Sequence, residues 1–286
     1  SRGSITIMKT ITLSLDGKKE GEIELPPIFE TNIRRDIIHK AYINLESHGF
    51  QKHSTHPTAG QDVVADSNDP PTGRGISRIA RMKGGGGGRQ GQAGEVASIR
   101  GGRQAHPPKA EKVIFKKINK KENKLALCSA IAATKSKELV IQRGHKIEKI
   151  DSFPLVVTDD IESITQTSKM MKILEDLNLI QDVERLKNRK RRSGKVVLRG
   201  RPTKTGKSVL FVLSNSEITK KACNSIPGVD VCSVNGLSVL DLAPGSNLIR
   251  LTVYSKKAIE EISKIKSRHL ELMVTLSWIQ KKQIRL

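Results

Sequence analysis

The chain has 286 residues, with 51 Lys and Arg against 29 Asp and Glu, a formal net charge of +22 at pH 7 and a pI near 10.1. A positive field of that size takes a polyanion as its natural counterpart, nucleic acid or an acidic membrane surface. No apolar run approaches the roughly 20 residues that span a bilayer and Ser1–Ile7 lack a signal-peptide layout, so the chain reads as soluble, intracellular and without a membrane partner.

Met8–Leu15 and Gly21–Leu25 alternate apolar and polar residues around Asp16-Gly17, the pattern of a short β-hairpin that Pro26-Pro27 ends. From Asn32 to Glu46, the residues Ile33, Ile37, Ile38, Ala41 and Leu45 recur at helical spacing, with Asn32 placed as the N-cap. After Gly49 the periodicity stops. No Phe, Tyr or Trp lies between Phe50 and Phe115, and from Gln51 to Pro108 the large aliphatic residues are Val63, Val64, Ile76, Ile79, Met82, Val96 and Ile99. That is too little apolar surface to offset the ordering entropy of so long a segment. Its order has to come from outside the chain, and in isolation the segment is expected to be disordered.

Regular pattern resumes after Pro107-Pro108. Glu122–Lys135 carries Leu125, Cys128, Ile131 and Ala132 on one helical face, Leu155–Val157 is a short strand, and Ser168 opens a helix bearing Met170, Ile173, Leu174 and Leu177. Val209–Leu213 (VLFVL) is the continuous apolar run of a strand covered on both sides. Glu217–Asn224 reads as a helix; Val229–Val231, Val239–Leu242 and Leu248–Val253 read as strand-like segments; Lys256–Ile265 reads as a closing helix. Alternating strands and helices predict an α/β fold with a largely parallel sheet. The chain therefore divides into 1–50, an internal segment 51–108, a main globular part 109–265 and a basic tail 266–286. Leu270, Leu272, Val274, Leu276 and Trp278 alternate along that tail, which suits an extended segment docking on a neighbour.

A second unusual stretch interrupts the globular part. Arg185, Lys187, Arg189, Lys190, Arg191, Arg192, Lys195, Arg199, Arg201, Lys204 and Lys207 occur with no acidic residue among them. Such a single-sign run repels itself unless an anionic surface neutralises it, and phosphate contact makes affinity fall steeply with salt.

Motifs that suggest catalysis read poorly. Gly200–Ser208 resembles a phosphate-binding P-loop but has five residues between its glycines and leads into a strand, where the motif needs four and a helix. Gly86, Gly88 and Gly91 fit G-x-G-x-x-G only by accident of a glycine run, so neither nucleotide nor cofactor is expected. His48, His53 and His56 lack nearby cysteines and an evident second shell, which argues against a metal. Asp159-Asp160 suits caps for the following segment better than acid/base chemistry. Cys128, Cys223 and Cys232 have no C-x-x-C spacing and read as reduced thiols. Nothing in this pattern requires an enzyme.

The runs Gly73–Lys83, Arg100–Pro108 and Asn123–Thr134 closely resemble large-subunit ribosomal protein four in its archaeal and eukaryotic form. The resemblance continues through Arg143-Gly-His145, Phe153–Val157, Ser225–Gly228 and Leu242–Gly245, and it covers about Met8 to Ile265. The long extension of eukaryotic members is missing after Ile265, which suggests an archaeal chain. The resemblance implies a three-layer α/β/α domain interrupted by a long extended loop that penetrates ribosomal RNA. It also implies a structural constituent of the large subunit that supports assembly, beside neighbouring ribosomal proteins in the cytoplasm.

By position, 51–108 is that loop, and arms of about 29 residues reach at most roughly 95 Å. Arg74, Arg78, Arg81, Lys83, Arg89, Arg100, Arg103 and His106 are then expected at RNA, together with Arg185, Lys187, Arg189, Lys190, Arg191, Arg192, Lys195, Arg199, Arg201 and Lys204. The tip, comprising Arg78, Arg81, Met82, Lys83, Gly84, Gly85, Gly86, Gly87, Gly88 and Arg89, is expected to line the constriction of the tunnel through which the nascent polypeptide leaves. Without aromatic platforms, recognition should be by phosphate and RNA shape. A free-standing RNA chaperone with an Arg/Gly-rich segment is the alternative, supported by a single Arg-Gly-Gly, Arg100–Gly102.

Overall fold

A computed structural model describes residues 8–67, 69–83, 88–147, 150, 152–187, 190–204, 206–265, 267 and 270. The chain divides into two compact units: one runs to Ser47 and resumes at Lys116, and the other is His48–Phe115.

In the first unit, β1 (Lys9–Leu13) and β2 (Lys19–Glu24) form the expected antiparallel hairpin, with Thr10 opposite Ile23. β1 then continues sideways as a parallel strand, pairing Thr12 with Val156 of β3 (Leu155–Val157). The sheet is completed by β4 (Leu210–Leu213), β5 (Asp230–Ser233) and β6 (Thr252–Ser255) in the order β2-β1-β3-β6-β4-β5, parallel except for β2. β6 thus enters between two strands already laid down. Each residue of β3, β4 and β6 is buried, as the unbroken apolar runs of β3 and β4 require, while in β6 the hydroxyls of Thr252 and Ser255 donate to the Arg250 carbonyl at 2.9 Å and to Glu162 at 2.8 Å. The buried Thr10 hydroxyl donates to the Pro154 carbonyl at 3.1 Å, which makes a threonine acceptable inside the sheet.

The helices sort into two packing groups. α1 (Arg35–Glu46) packs on α2 (Lys120–Ala133) and on α7 (Val239–Leu242), while α4 (Thr167–Asp176) packs on α5 (Ile180–Glu184) and α6 (Glu217–Cys223). α3 (Lys137–Arg143) follows α2 directly, and α8 (Lys256–Ile262) lies against β4 and β6. Alanine-rich α2 lets backbone approach closely, so Ala126, Ala130, Ile131 and Ala133 are all buried. Phe29 meets the Tyr254 ring edge-on at 5.9 Å, and the buried Tyr254 hydroxyl bonds the Thr134 hydroxyl at 3.2 Å.

Several sequence expectations need correction. Val239–Leu242 is a helix and not a strand, because Asp241 at the third helical position reaches back to accept from the Ser238 backbone N–H at 3.1 Å and from its hydroxyl at 2.7 Å. Asn32 caps nothing in α1, which starts at Arg35; its carbonyl instead accepts from Ser129 at 2.7 Å. The strand expected at Leu248–Val253 is Thr252–Ser255. α3 and α5 had too few residues to show a period. Within the tail, only Ser267 and Leu270 are described, both buried; the alternating residues from Leu272 onward lie outside the described residues. All three cysteines are free, and burial pushes the Cys223 thiol up to about 12, so it is a poor nucleophile.

Candidate nucleic-acid interface

Between α5 and β4 the first unit sends out a basic finger. Lys190 pairs with Lys204 and Arg191 with Thr203 in a two-residue antiparallel ladder, extended by Arg192 N–H donating to Pro202 at 2.8 Å. One helical turn, Lys195–Leu198, forms the end. Like charges directly opposite across a ladder are unfavourable, so the Lys190–Lys204 pair is a built-in demand for anions. Lys190, Arg191, Arg192, Lys195, Arg199, Arg201 and Lys204 are exposed, and none has an ion-pair partner among the described residues. Lys187 pairs with Glu184 at 3.3 Å, and Arg189 lies outside the described residues. The finger's end also presents Leu198, 86% exposed.

Its neck is held from inside. The fully buried Asp182 carboxylate accepts from Arg185 Nε at 3.0 Å, the Ser208 hydroxyl at 2.6 Å, His145 Nδ1 at 3.0 Å and the Lys146 backbone N–H at 3.1 Å. Leu251 N–H donates to His145 Nε2 at 3.3 Å, so the ring carries its proton on Nδ1. Burial alone would raise the Asp182 pKa; the donors of His145, Ser208 and Arg185 outweigh it and hold the carboxyl well below the usual range. Arg185 stands at the start of the finger and Ser208 at its end, so one carboxylate closes the neck. The Arg185 guanidinium, expected at phosphate, also donates to the Lys207 carbonyl at 3.2 Å and so has an internal task.

A second clamp lies beside the first. Arg250, with a side chain 1% exposed, donates to the carbonyls of Ser208 at 2.6 Å, Val209 at 3.0 Å and Gly228 at 2.7 Å, and pairs with Asp230 at 2.6 Å. Asp230 also accepts from Lys207 at 2.7 Å. Leu186 fills the space between Gly206 and Gly228: a Cβ on Gly228, whose φ is +79°, would meet Leu186 Cδ1 at 2.2 Å. Gly228→Ala is therefore expected to cost about 1–3 kcal/mol through strain and overpacking, read as a lower denaturation midpoint at unchanged slope.

The second unit is built differently. Ala65–Asp66 pairs with Arg81–Met82, and Arg81 bridges to Ala93 on its other side, so three extended segments lie together. Gly91 N–H donates to Met82 at 3.0 Å, Gly94 N–H to Ala80 at 2.9 Å and Lys83 N–H to Val64 at 3.0 Å. The arms meet at Thr55 N–H and the Pro108 carbonyl, 3.3 Å apart. Glycine takes the place of a core: a Cβ on Gly60 would meet the Gly102 carbonyl oxygen at 2.5 Å, and one on Gly102 would meet the Val96 oxygen at 1.9 Å.

Of the expected contact residues, Arg74, Arg89, Arg100, Arg103 and His106 are exposed. Arg78 pairs with Asp69 at 3.5 Å and Lys83 with Asp66 at 3.1 Å, both at exposed sites where such pairs are weak and exchangeable. Arg81, half-buried, donates to the Gly91 carbonyl at 2.9 Å and helps close the turn. Met82 is half-buried in the ladder and Gly88 is exposed; Gly84–Gly87 lie outside the described residues. The His48 ring lies tilted against Phe115 with centroids 5.4 Å apart, and His56 Nδ1 bonds the Thr58 hydroxyl at 3.1 Å.

The carboxyl ends of parallel strands are where open α/β sheets usually hold ligands. Here the chain's own acids occupy that place. Glu162 accepts from the Ser214 N–H at 2.9 Å, the Asn215 N–H at 3.4 Å and the Ser255 hydroxyl at 2.8 Å. Asp159 caps not the next segment in sequence but α8, accepting from Lys257 N–H at 2.8 Å. The P-loop-like Gly200–Ser208 forms part of the finger and its neck, with Ser208 and Lys207 bound to carboxylates.

Residues 23–265 match the model of the ribosomal protein L4/L1 family. The chain belongs to that family. It is 42% identical over 87% of its length to the large ribosomal subunit protein uL4 of Methanosphaera stadtmanae, covering 94% of that protein. It is 41% identical to the uL4 of Methanococcus aeolicus, over 90% of this chain and 99% of the relative, and 40% identical to that of Sulfurisphaera tokodaii, over 91% and 96%. The archaeal type expected from the sequence agrees with these relatives.

For an L4/L1-family chain, the residues that sequence reasoning missed are Asp182, His145, Ser208, Asp230 and Arg250. A faint signal existed: Arg250 is a lone arginine inside the apolar run Leu248–Val253, and Ser208 stands directly before VLFVL. A charge or hydroxyl in such a place has to find a buried partner. Gly228 has to be glycine in this neck because its φ is +79° and Leu186 leaves no room for a Cβ, and its carbonyl accepts from both Arg250 and the Ser208 N–H.

Proposed function

We propose that this chain is a structural constituent of the large ribosomal subunit in the cytoplasm, without enzymatic activity, nucleotide or membrane partner. It binds large-subunit ribosomal RNA through two basic segments, the finger 185–207 and the loop 51–108, and supports subunit assembly. The observation that carries the RNA contact is the finger: Lys190, Arg191, Arg192, Lys195, Arg199, Arg201 and Lys204 all exposed, without acid partners among the described residues, on a ladder that sets lysine opposite lysine. Family membership and relatives named for the large subunit support the particle.

The loop's task follows from its make-up. Exposed Arg74, Arg89, Arg100, Arg103 and His106 are available to phosphates, while Arg81, Met82 and Lys83 flank the stretch Gly84–Arg89 that, on this reading, lines the tunnel beside the nascent polypeptide. Arg78 and Lys83 exchange weak carboxylate partners for RNA. Salt-washed sedimentation tests the reading against that of a free-standing RNA chaperone. The chain is expected to stay with the large subunit at ionic strengths that strip loosely bound factors; recovery in the supernatant at about 0.5 M salt would favour the chaperone.

A further inference from the structure

Arg143-Gly-His145 and Leu242–Gly245 carry the family resemblance, yet Arg143 and the turn after Leu242 belong to neither the finger nor the loop. The fold brings them to one place. Arg143, which ends α3, donates from Nη2 to the Pro244 carbonyl at 2.7 Å and from Nη1 to the Asn247 carbonyl. Gly245 and Ser246 are both left-handed, with φ of 75° and 65°, and His39 of α1 holds the Ser246 hydroxyl at 2.5 Å. A serine in that conformation costs on the order of 1 kcal/mol or more and persists only where its surroundings fix it; such residues cluster at binding sites. Beside the pinned turn lies a cleft of roughly 300 Å³ lined by Arg35, Gln142, Arg143, Ser246, Asn247 and Leu248.

The chemistry of this cleft is selective. Among the described residues no carboxylate lines it. Burial, then the like charges of Arg250 and Arg185, push the Arg143 pKa down, so this half-buried cation is short of negative charge. Arg35, exposed at the mouth, adds a second cation. Gln142 and Asn247 each carry a donor and an acceptor on one carboxamide, the complement that reads the edge of an unpaired base. Leu248 offers an apolar wall for the face of a ring. The volume lies at the lower end of ligand pockets, suited to one small ligand and too small for a duplex.

We propose that this cleft binds a single extruded RNA nucleotide, its phosphate toward Arg35 and Arg143 and its base edge toward Gln142 and Asn247. The inference rests on the ribosomal RNA-binding reading and adds to it. Finger and loop grip phosphate without distinguishing sequence; the cleft is where this chain recognises a base.

Amide NMR of the full chain during titration with AMP, CMP, GMP and UMP tests this, with inorganic phosphate and free nucleosides as controls. Saturable shifts centred on Gln142, Ser246 and Asn247 are expected, with one base preferred by at least about fivefold and inorganic phosphate about tenfold weaker. Arg35→Ala combined with Gln142→Ala, both exposed positions, should abolish the response at an unchanged thermal midpoint. Equal responses to all four nucleotides and to phosphate would reduce the cleft to an anion site and overturn the proposal, as would shifts confined to the finger. Sedimentation of the same protein with the large subunit separates the two claims. A chain that stays with the particle but shows no cleft response refutes the cleft alone, whereas one that is stripped refutes the ribosomal reading.

Discussion

Asp182→Ala is expected to destabilise the unit that carries the finger by about 3–5 kcal/mol, because it removes a fully buried carboxylate on which several donors converge and leaves those donors behind. Arg185, Ser208, His145 and the Lys146 N–H all converge on that carboxylate. Removing it strands a partly buried guanidinium and two buried donors, each of which costs more unmade than it contributes when made. Asp182→Asn keeps the shape but loses the charge and turns one acceptor into a donor, so it should recover little.

The same carboxyl sets a pH dependence. Its folded pKa lies below the unfolded value, so its contribution is complete at neutral pH and is lost as pH falls through the acid range. Denaturant unfolding at neutral and acid pH measures both effects. The wild type should lose stability on acidification while the alanine variant changes less, and a variant within about 1 kcal/mol of wild type at pH 7 would show that the cluster does not hold the neck. Hydrogen exchange adds a local readout, since the Ser208 N–H, bonded to Gly228 at 2.8 Å, should lose protection in the variant.

Changing Lys190, Arg191, Arg192, Arg199, Arg201 and Lys204 together to glutamine has the second large expected effect. These side chains are exposed and make no ion pairs among the described residues, so the fold should be untouched or slightly stabilised as the lysine facing lysine disappears. Binding to large-subunit ribosomal RNA should weaken steeply. If each cation neutralises one phosphate, the slope of log K against log salt falls by about four to five. A slope that does not change would remove the finger from the interface and leave the loop to account for binding.

The parts of the fold legible in the sequence are those where one residue class repeats. The Leu155–Val157 strand, the Leu210–Leu213 strand and the α2 and α4 faces each declare themselves through apolar runs or a helical period. Short elements failed for a physical reason. Four residues, Val239–Leu242, cannot show a period, and their helical state is decided by Ser238 and Asp241 at the first turn. The basic stretch was visible because charge of one sign is a property of composition. Its clamp was not, because His145, Asp182, Ser208 and Arg250 come from four separate places in the chain and acquire meaning only when the sheet order sets β4 beside β6. The cleft of Arg143 and Ser246 was hidden likewise, since its turn depends on His39 from α1.

The glycine contacts of the second unit set a calibre. Gly60 against Gly102, and Gly102 against Val96, bring backbone to backbone with no room for one added carbon. Where backbones lie this close, their spacing is fixed by residues that carry no charge and need touch no RNA at all. An alanine at Gly102 would force the Val96 backbone away without altering a single charge. Such a variant would separate the spacing of the backbone from its charge as the cause of any change in RNA binding.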